Sequence, residues 1–163
     1  MEKNPRSSYI VRFNDCDPFG HLNNSRYFDY LINAREDHLR EHYDLTVDSF
    51  TKQGFGWVVS GHEILYLKPA KYNETVSVRS QLLNVEDSNL LVEITMTDAE
   101  ETHLKAILWT KFVFINLKTG KKDVHPEEFK NFLLSLKTDA YPAASTIRER
   151  IAAFQPAGLK PAP

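Results

Sequence analysis

The chain has 163 residues, 42% of them hydrophobic and 26% charged, enough for one domain with a proper core, and its net charge of −2 gives no electrostatic reason to bind nucleic acid. Its single cysteine, Cys16, excludes an internal disulfide, and its six His show no metal-ligand spacing of the CxxC or HExxH kind. The opening MEKNPRSSYI lacks an apolar core region and no window approaches a membrane span, so a soluble, cytoplasmic protein without membrane partners is expected.

Tyr9 to Phe13 is a short β-rich run and predicts a first strand. The stretch FNDCDPFGHLNNSRY, from Phe13 to Tyr27, then crowds two carboxylates, a Cys, a Pro, a Gly, a His and two Asn ahead of a helical pattern. From Ser25 to about Tyr43 there is no Gly or Pro, and Tyr27, Phe28, Tyr30, Leu31, Ile32 and Ala34 run nearly all round the first half. Such a pattern argues for burial rather than for a surface helix, although the second half, from Arg35 to His42, is mostly charged. Asn23, Asn24 or Ser25 can supply the N-cap.

TVDSFTKQG reads as a connection, and everything from there to residue 117 reads as β. Strands are predicted over Phe55 to Leu67, Glu74 to Val85, Leu90 to Thr97 and Leu104 to Leu117, with EDSN at 86–89 as a turn and KTGKK closing the last. A short helix begins at His125-Pro126-Glu127-Glu128. The tail carries four of the eight prolines, and Ile147, Ile151 and Phe154 predict one small docked helix before a frayed end. The order is strand, long helix, four strands and short helices. An antiparallel meander must bury one face, and the long helix is the natural partner, so the fold class is α+β.

This element order, with this loop before the helix, resembles the hotdog-fold acyl-CoA thioesterases, in particular the 4-hydroxybenzoyl-CoA thioesterase-like branch. The residues carrying the resemblance are FNDCDPFGHLNNSRYFDYLINAR, GWVVSGHEILYLKPAKYNETVSV and KFVFINLKTGKKDVHPEEF, roughly residues 9 to 135. The resemblance implies an antiparallel sheet of about five strands wrapped around a long central helix. It sets a thioesterase domain at 1–136 and a partly helical extension at 137–163. It also implies a homodimer or homotetramer with the active site at the subunit boundary, an acyl-CoA substrate, and no metal or other cofactor.

In that family the second Asp of the D-x-D pair is the catalytic carboxylate and the backbone N–H seven residues on polarises the thioester carbonyl, which implies Asp17 and Asn24 for these roles here. Elementary chemistry agrees. A carboxylate is a competent base or nucleophile without a metal, and the first N–H groups of a helix are unpaired donors at its positive end. Each residue also has a plainer reading. Asp17 can be a turn or capping residue, Asp15 can hold the loop, and Cys16 between two carboxylates reads as structural. His21 can orient Asp17 or simply belong to the turn. Some relatives carry a His at the position of Asn24 and a Tyr four residues before the Asp, where this chain has Phe13. Ser60 and His62, two apart on a strand, share a face and can reach substrate; Tyr27, Trp57 and Phe55 can line an acyl pocket or be core.

One departure concerns the nucleotide end. Glu86-Asp87-Ser88-Asn89 stands where the 4-hydroxybenzoyl-CoA enzyme has a basic cluster, so either other cations, with Lys68, Lys71, Arg79, Lys121 and Lys122 as candidates, bind the phosphates or the thioester carrier is different. Two other functions compete: a non-catalytic acyl-CoA-binding or regulatory domain, and a hotdog dehydratase or hydratase. The first would not need Asp17. The second pairs its acid with a His at a spacing such as D-x₄-H, whereas only three residues separate Asp17 from His21.

Overall fold

The computed structural model describes residues 1–139 and 146–153. Strand β1 (Arg6–Ile10) leads through a single 3₁₀ turn at Phe13–Asp15 into helix α1 (Asn24–Tyr43), followed by a short helix α2 (Val47–Thr51). Strands β2 (Phe55–Tyr66), β3 (Thr75–Val85), β4 (Asn89–Asp98) and β5 (Leu104–Asn116) follow, then a two-residue strand β6 (Lys121–Lys122), α3 (Glu127–Leu136) and α4 (Ile147–Ala153). All pairings are antiparallel, in the order β1-β3-β4-β5-β2, with β6 added to the end of β5. The α+β arrangement of a sheet around a long helix is therefore present, with β6 as a sixth strand.

Helix α1 is the core about which the sheet closes. Tyr27, Leu31, Ala34 and His38 are its buried residues, and their spacing puts them on one stripe. That stripe meets Val76, Val78, Leu82, Val92, Ile94, Met96, Ala106 and Leu108 on the inner face of β3, β4 and β5. Full burial of a side chain such as Leu31 contributes about 1.5–3 kcal/mol. The sheet curls because its ladders are interrupted between Val59 and Gly61, between Leu82 and Asn84, and between Met96 and Thr97. An extra residue in one strand bends it and increases its twist.

The outer face carries a second, smaller core. Leu83, Ile107 and Trp109 are buried there beneath Ile147 of α4, with Ile151 packed beside them. Among them sits Glu93, which accepts from Gln81 Nε2 (2.7 Å), Trp109 Nε1 (2.9 Å) and Arg150 Nε (3.0 Å). A buried carboxylate so fully partnered avoids the large penalty of an unpaired one, and it ties α4 to the sheet. Phe154 lies outside the described residues. Among the described residues no helix is long and apolar enough to cross a membrane.

Local differences from the sequence reading have identifiable causes. The first strand ends at Ile10 rather than Phe13, because the chain turns into the 3₁₀ segment there. TVDSFTKQG contains a helix instead of a plain connection. Thr46 caps it, accepting from Ser49 N–H at 3.2 Å while Ser49 Oγ accepts from Thr46 N–H at 3.2 Å.

His38 lies within the half of α1 that reads as charged, yet it is wholly buried, bridging Ser80 Oγ (2.8 Å) and Ser7 Oγ (3.0 Å). Burial first, and the nearby Arg35 charge second, lower its pKa from 6.5 to about 4. The unfolded chain therefore binds this proton more readily than the folded one, and acid favours unfolding. This contribution is fully present above pH 6.5 and is lost as the pH falls from 6.5 toward 4. His38→Gln should accordingly show a flatter fall of melting temperature across that window than the wild type. Parallel curves would contradict a neutral, buried His38.

Candidate active site

The loop between β1 and α1 folds back on itself. The Asp15 carbonyl accepts from Asn23 N–H (2.8 Å), Cys16 pairs with Leu22, and Asp17 N–H donates to the His21 carbonyl (2.8 Å). Gly20 closes the tip with φ 73°, a left-handed conformation that glycine adopts without steric cost, and its N–H donates to the Asp17 carbonyl (3.0 Å). The returning limb is stitched to the segment after β2. Leu22 N–H donates to the Ala70 carbonyl (2.8 Å), Tyr72 N–H donates to the Gly20 carbonyl (2.8 Å), and His21 pairs with Lys71. Leu22 itself is buried and pins the loop into the core.

The two carboxylates of this loop have different surroundings. Asp15 Oδ2 accepts from the Tyr30 hydroxyl at 2.7 Å, and Oδ1 lies 3.9 Å from Arg26 Nε. Burial first, and the bond to Asp15 second, push the Tyr30 hydroxyl pKa up, so it stays a donor. Asp17 instead uses one oxygen, Oδ1, to accept from Phe19 N–H (2.9 Å) and His21 N–H (3.1 Å). Its Oδ2 has no hydrogen-bond partner among the described residues. The carboxylate is thus fixed by the tip of the loop and keeps one oxygen free. Between them Cys16 donates its thiol to the Arg12 carbonyl (3.3 Å), and burial together with both acids raises its pKa. A thiolate is disfavoured there.

Three positions supply the start of α1. Asn23 is the N-cap; its Oδ1 accepts from Ser25 N–H (3.0 Å) and Ser25 Oγ–H (2.8 Å). Its carbonyl accepts from Arg26 N–H (2.8 Å) and Tyr27 N–H (3.3 Å). That leaves the Asn24 N–H without an acceptor among the described residues, at the positive end of a 20-residue helix. The Asn24 carbonyl accepts from the Tyr66 hydroxyl (2.9 Å), which brings the end of β2 to the helix mouth. Asp17 and Asn24 are therefore held by one loop. Among the described residues no cluster of His, Cys, Asp or Glu is placed to hold a metal ion.

The remaining sequence candidates are dispersed. His21 acts on Asp17 through its main chain, by the two bonds already given. Tyr27 is core: its hydroxyl accepts from Ala70 N–H (2.9 Å) and its ring meets Tyr66 edge-on. Trp57 donates from Nε1 to His125 Nε2 (3.1 Å) within an aromatic cluster with Phe50, Phe114 and Phe129, away from the loop. Phe55 stacks on Phe114. The register shift between Val59 and Gly61 interrupts the ladder at Ser60, so simple alternation does not run through Ser60 to His62. Ser60 Oγ donates to the Lys111 carbonyl (3.3 Å), whereas His62 packs its ring on Phe28 of α1, 4.5 Å between centroids, and bonds Thr110 Oγ1 (3.1 Å). Both border a cavity of about 750 Å³ that also takes in Glu63, Glu86, Asn89 and Lys111. Sequence reasoning missed Tyr30, whose hydroxyl holds Asp15; the signal for it was only its place among the apolar residues of α1.

Comparison with known proteins adds an independent line. The model of the Thioesterase-like superfamily matches residues 11–133. The long-chain acyl-CoA thioesterase FadM of Escherichia coli is 32% identical over 114 residues, covering 68% of this chain and 83% of that protein. Among solved structures, the probable thioesterase YbaW from Escherichia coli superposes with a TM-score of 0.72 at 26% identity, over 82% of this chain and 98% of that one. The Staphylococcus aureus protein SAV2348, solved in complex with CoA, superposes with a TM-score of 0.73 at 15% identity, over 85% of this chain and 89% of that one, and shares the fold.

The cap gives this geometry a direct check. Asn23→Ala removes the acceptor of two Ser25 bonds and should cost about 1 kcal/mol of stability. Chemical denaturation that finds the variant as stable as the wild type would refute the capping role.

Proposed function

The chain belongs to the Thioesterase-like superfamily, and on that premise we propose that it hydrolyses acyl-CoA thioesters to the free acid and CoA, with Asp17 and the Asn24 N–H as the reacting pair. The observation that carries this reading is the contrast at the loop. One carboxylate is consumed by Tyr30 and Arg26, while the other is oriented through a single oxygen, on the same loop that leads into an unpaired helix N–H. In the reaction the substrate carbonyl oxygen lies on the Asn24 N–H. Asp17 Oδ2 either takes a proton from water as the water oxygen attacks the acyl carbon, or attacks that carbon itself to form a mixed anhydride that water then cleaves. In both routes the negative charge of the tetrahedral intermediate falls on the carbonyl oxygen, at the helix N-terminus. The carbon–sulfur bond breaks and CoA leaves as the thiolate, which takes up a proton.

The acyl-CoA assignment draws on the named activity of FadM and on the CoA complex of SAV2348. The surface cations fit it unequally. Arg79 is occupied by Glu101, at 2.8 Å from Nε to Oε1, and Asp87 in the acidic turn by Lys130. Lys68 and Lys71 are exposed and follow β2 beside the 17–21 loop, so they are the better phosphate partners. A homodimer joined through β2 completes the proposal. This twelve-residue edge strand is paired on one side by β5, and its Val58 and Val59 are exposed; a second copy of the strand would satisfy the other side. Sedimentation should therefore give a dimer or a larger species at micromolar concentration, and an active monomer would reject the shared edge.

The test of the chemistry must respect the structure. Asp17→Ala would remove the acceptor of two loop N–H groups, so removal of this side chain is not structurally silent. Asp17→Asn keeps an oxygen for those bonds and loses the carboxylate. On the best acyl-CoA of a panel spanning short, long and aromatic acyl groups, it should lower kcat by about 10²–10⁴ at unchanged melting temperature. Asp15→Asn should retain far more activity. The reverse ranking would transfer the catalytic role to Asp15, and unchanged hydrolysis in both would leave the binding-domain alternative standing.

A further inference from the structure

A partly buried cation without a counter-anion lies deep along α1. Asn24, Phe28, Ile32 and Arg35 follow one another at helical spacings of four, four and three, so they form one stripe of the helix. Eleven residues at the helical rise place Arg35 roughly 16 Å from Asn24 along the axis. There it lines a cavity of about 300 Å³ whose other walls, Thr46 and Thr51 apart, are apolar, among them Leu39, Trp57, Val92, Phe112 and Phe129. Arg35 Nη1 donates to Ser80 Oγ (3.2 Å), and the Tyr43 hydroxyl is its second partner. Neither carries a charge to balance it. Ser80 is bonded in turn to His38, which burial keeps neutral near pH 7.

The other arginines show how unusual this is. Arg6, Arg26, Arg40, Arg79 and Arg150 each meet a carboxylate, while Arg12 and Arg148 are exposed to solvent. Among the described arginines, Arg35 alone is withdrawn from solvent with no carboxylate within 4.0 Å. Burial draws its pKa down to about 10, which leaves it charged at neutral pH. An uncompensated cation facing apolar walls is costly unless a ligand brings the missing charge. A guanidinium fork is matched best by a carboxylate, which it can hold through two parallel bonds.

Resting on the thioesterase reading, we propose that this cavity receives the far end of the acyl group and that Arg35 pairs with a carboxylate carried there. The favoured substrates are then CoA half-thioesters of long dicarboxylic acids. With the thioester carbonyl on the Asn24 N–H, the chain runs along the stripe past Phe28 and Ile32 and ends at the guanidinium. The span of roughly 16 Å set by the helical rise suits an extended chain of about a dozen carbons.

The experiment compares kcat/KM of the full chain on dodecanoyl-CoA and on dodecanedioyl-CoA, its ω-carboxy counterpart, for the wild type, Arg35→Lys and Arg35→Met. The wild type should prefer the ω-carboxy substrate by roughly tenfold or more, Arg35→Lys should keep part of that preference, and Arg35→Met should reverse it. The wild-type ratio is decisive even if a variant fails to fold. A wild type that prefers the plain chain, or a ratio untouched by Arg35→Met, overturns the proposal while leaving the thioesterase reading intact. A wild type that hydrolyses no acyl-CoA at all removes both.

Discussion

The bond from Asn23 N–H to the Asp15 carbonyl closes the loop at the mouth of α1, and the rest of the candidate site depends on it. It makes the chain on either side of Gly20 run antiparallel, so Asp17 faces His21 and the helix begins directly after the return limb. That closure holds the carboxylate and the Asn24 N–H on one hydrogen-bonded loop. The closure in turn rests on Leu22 in the core and on α1, whose buried stripe fixes where the helix starts. Packing thus reaches the chemistry through a short chain of main-chain bonds.

The same economy separates two identical side chains. Asp15 and Asp17 are two residues apart, but Asp15 lies against Tyr30 and Arg26 whereas Asp17 sits at the tip among backbone N–H groups. The helix that lends its N-terminus to the site also carries Arg35 and His38 further along, on faces that meet the cavity and the sheet. One element therefore serves the candidate reaction, the core and the proposed end of the substrate. The outer face has its own polar centre at Glu93, which joins α4 to the sheet on the side away from α1.

Much of this was legible in the sequence, for definite reasons. The β-rich runs bounded by EDSN and KTGKK placed β2 to β5 within one residue of their bounds, since turn residues mark where such runs must stop. The crowding between Phe13 and Tyr27 marked the loop, because so many polar groups need partners before a buried helix. What stayed hidden depends on contacts between distant segments. His38 and Arg35 read as surface charge, because nothing local reveals that Ser7 and Ser80 arrive to receive them. Tyr27 read as a possible pocket residue, and only the approach of Ala70 shows it as core. The bulge at Ser60 has no signature beyond an adjacent Gly61, so the face of that residue could not be derived by counting in twos. Even the N-cap was narrowed to three residues rather than one, since Asn23, Asn24 and Ser25 are all competent.

The proposed hydrolysis requires the thioester carbonyl to rest on the Asn24 N–H with its carbon turned toward Asp17. The most direct measurement is a crystal structure with an acyl-CoA analogue in which a methylene replaces the thioester sulfur, so that the carbonyl remains but cannot be hydrolysed. The carbonyl oxygen should lie at about 2.7–3.2 Å from the Asn24 nitrogen, with Asp17 Oδ2 facing the carbonyl carbon. A carbonyl bound elsewhere, for instance in the cavity bordered by Ser60, Glu86 and Lys111, or one turned toward Asp15, would contradict it.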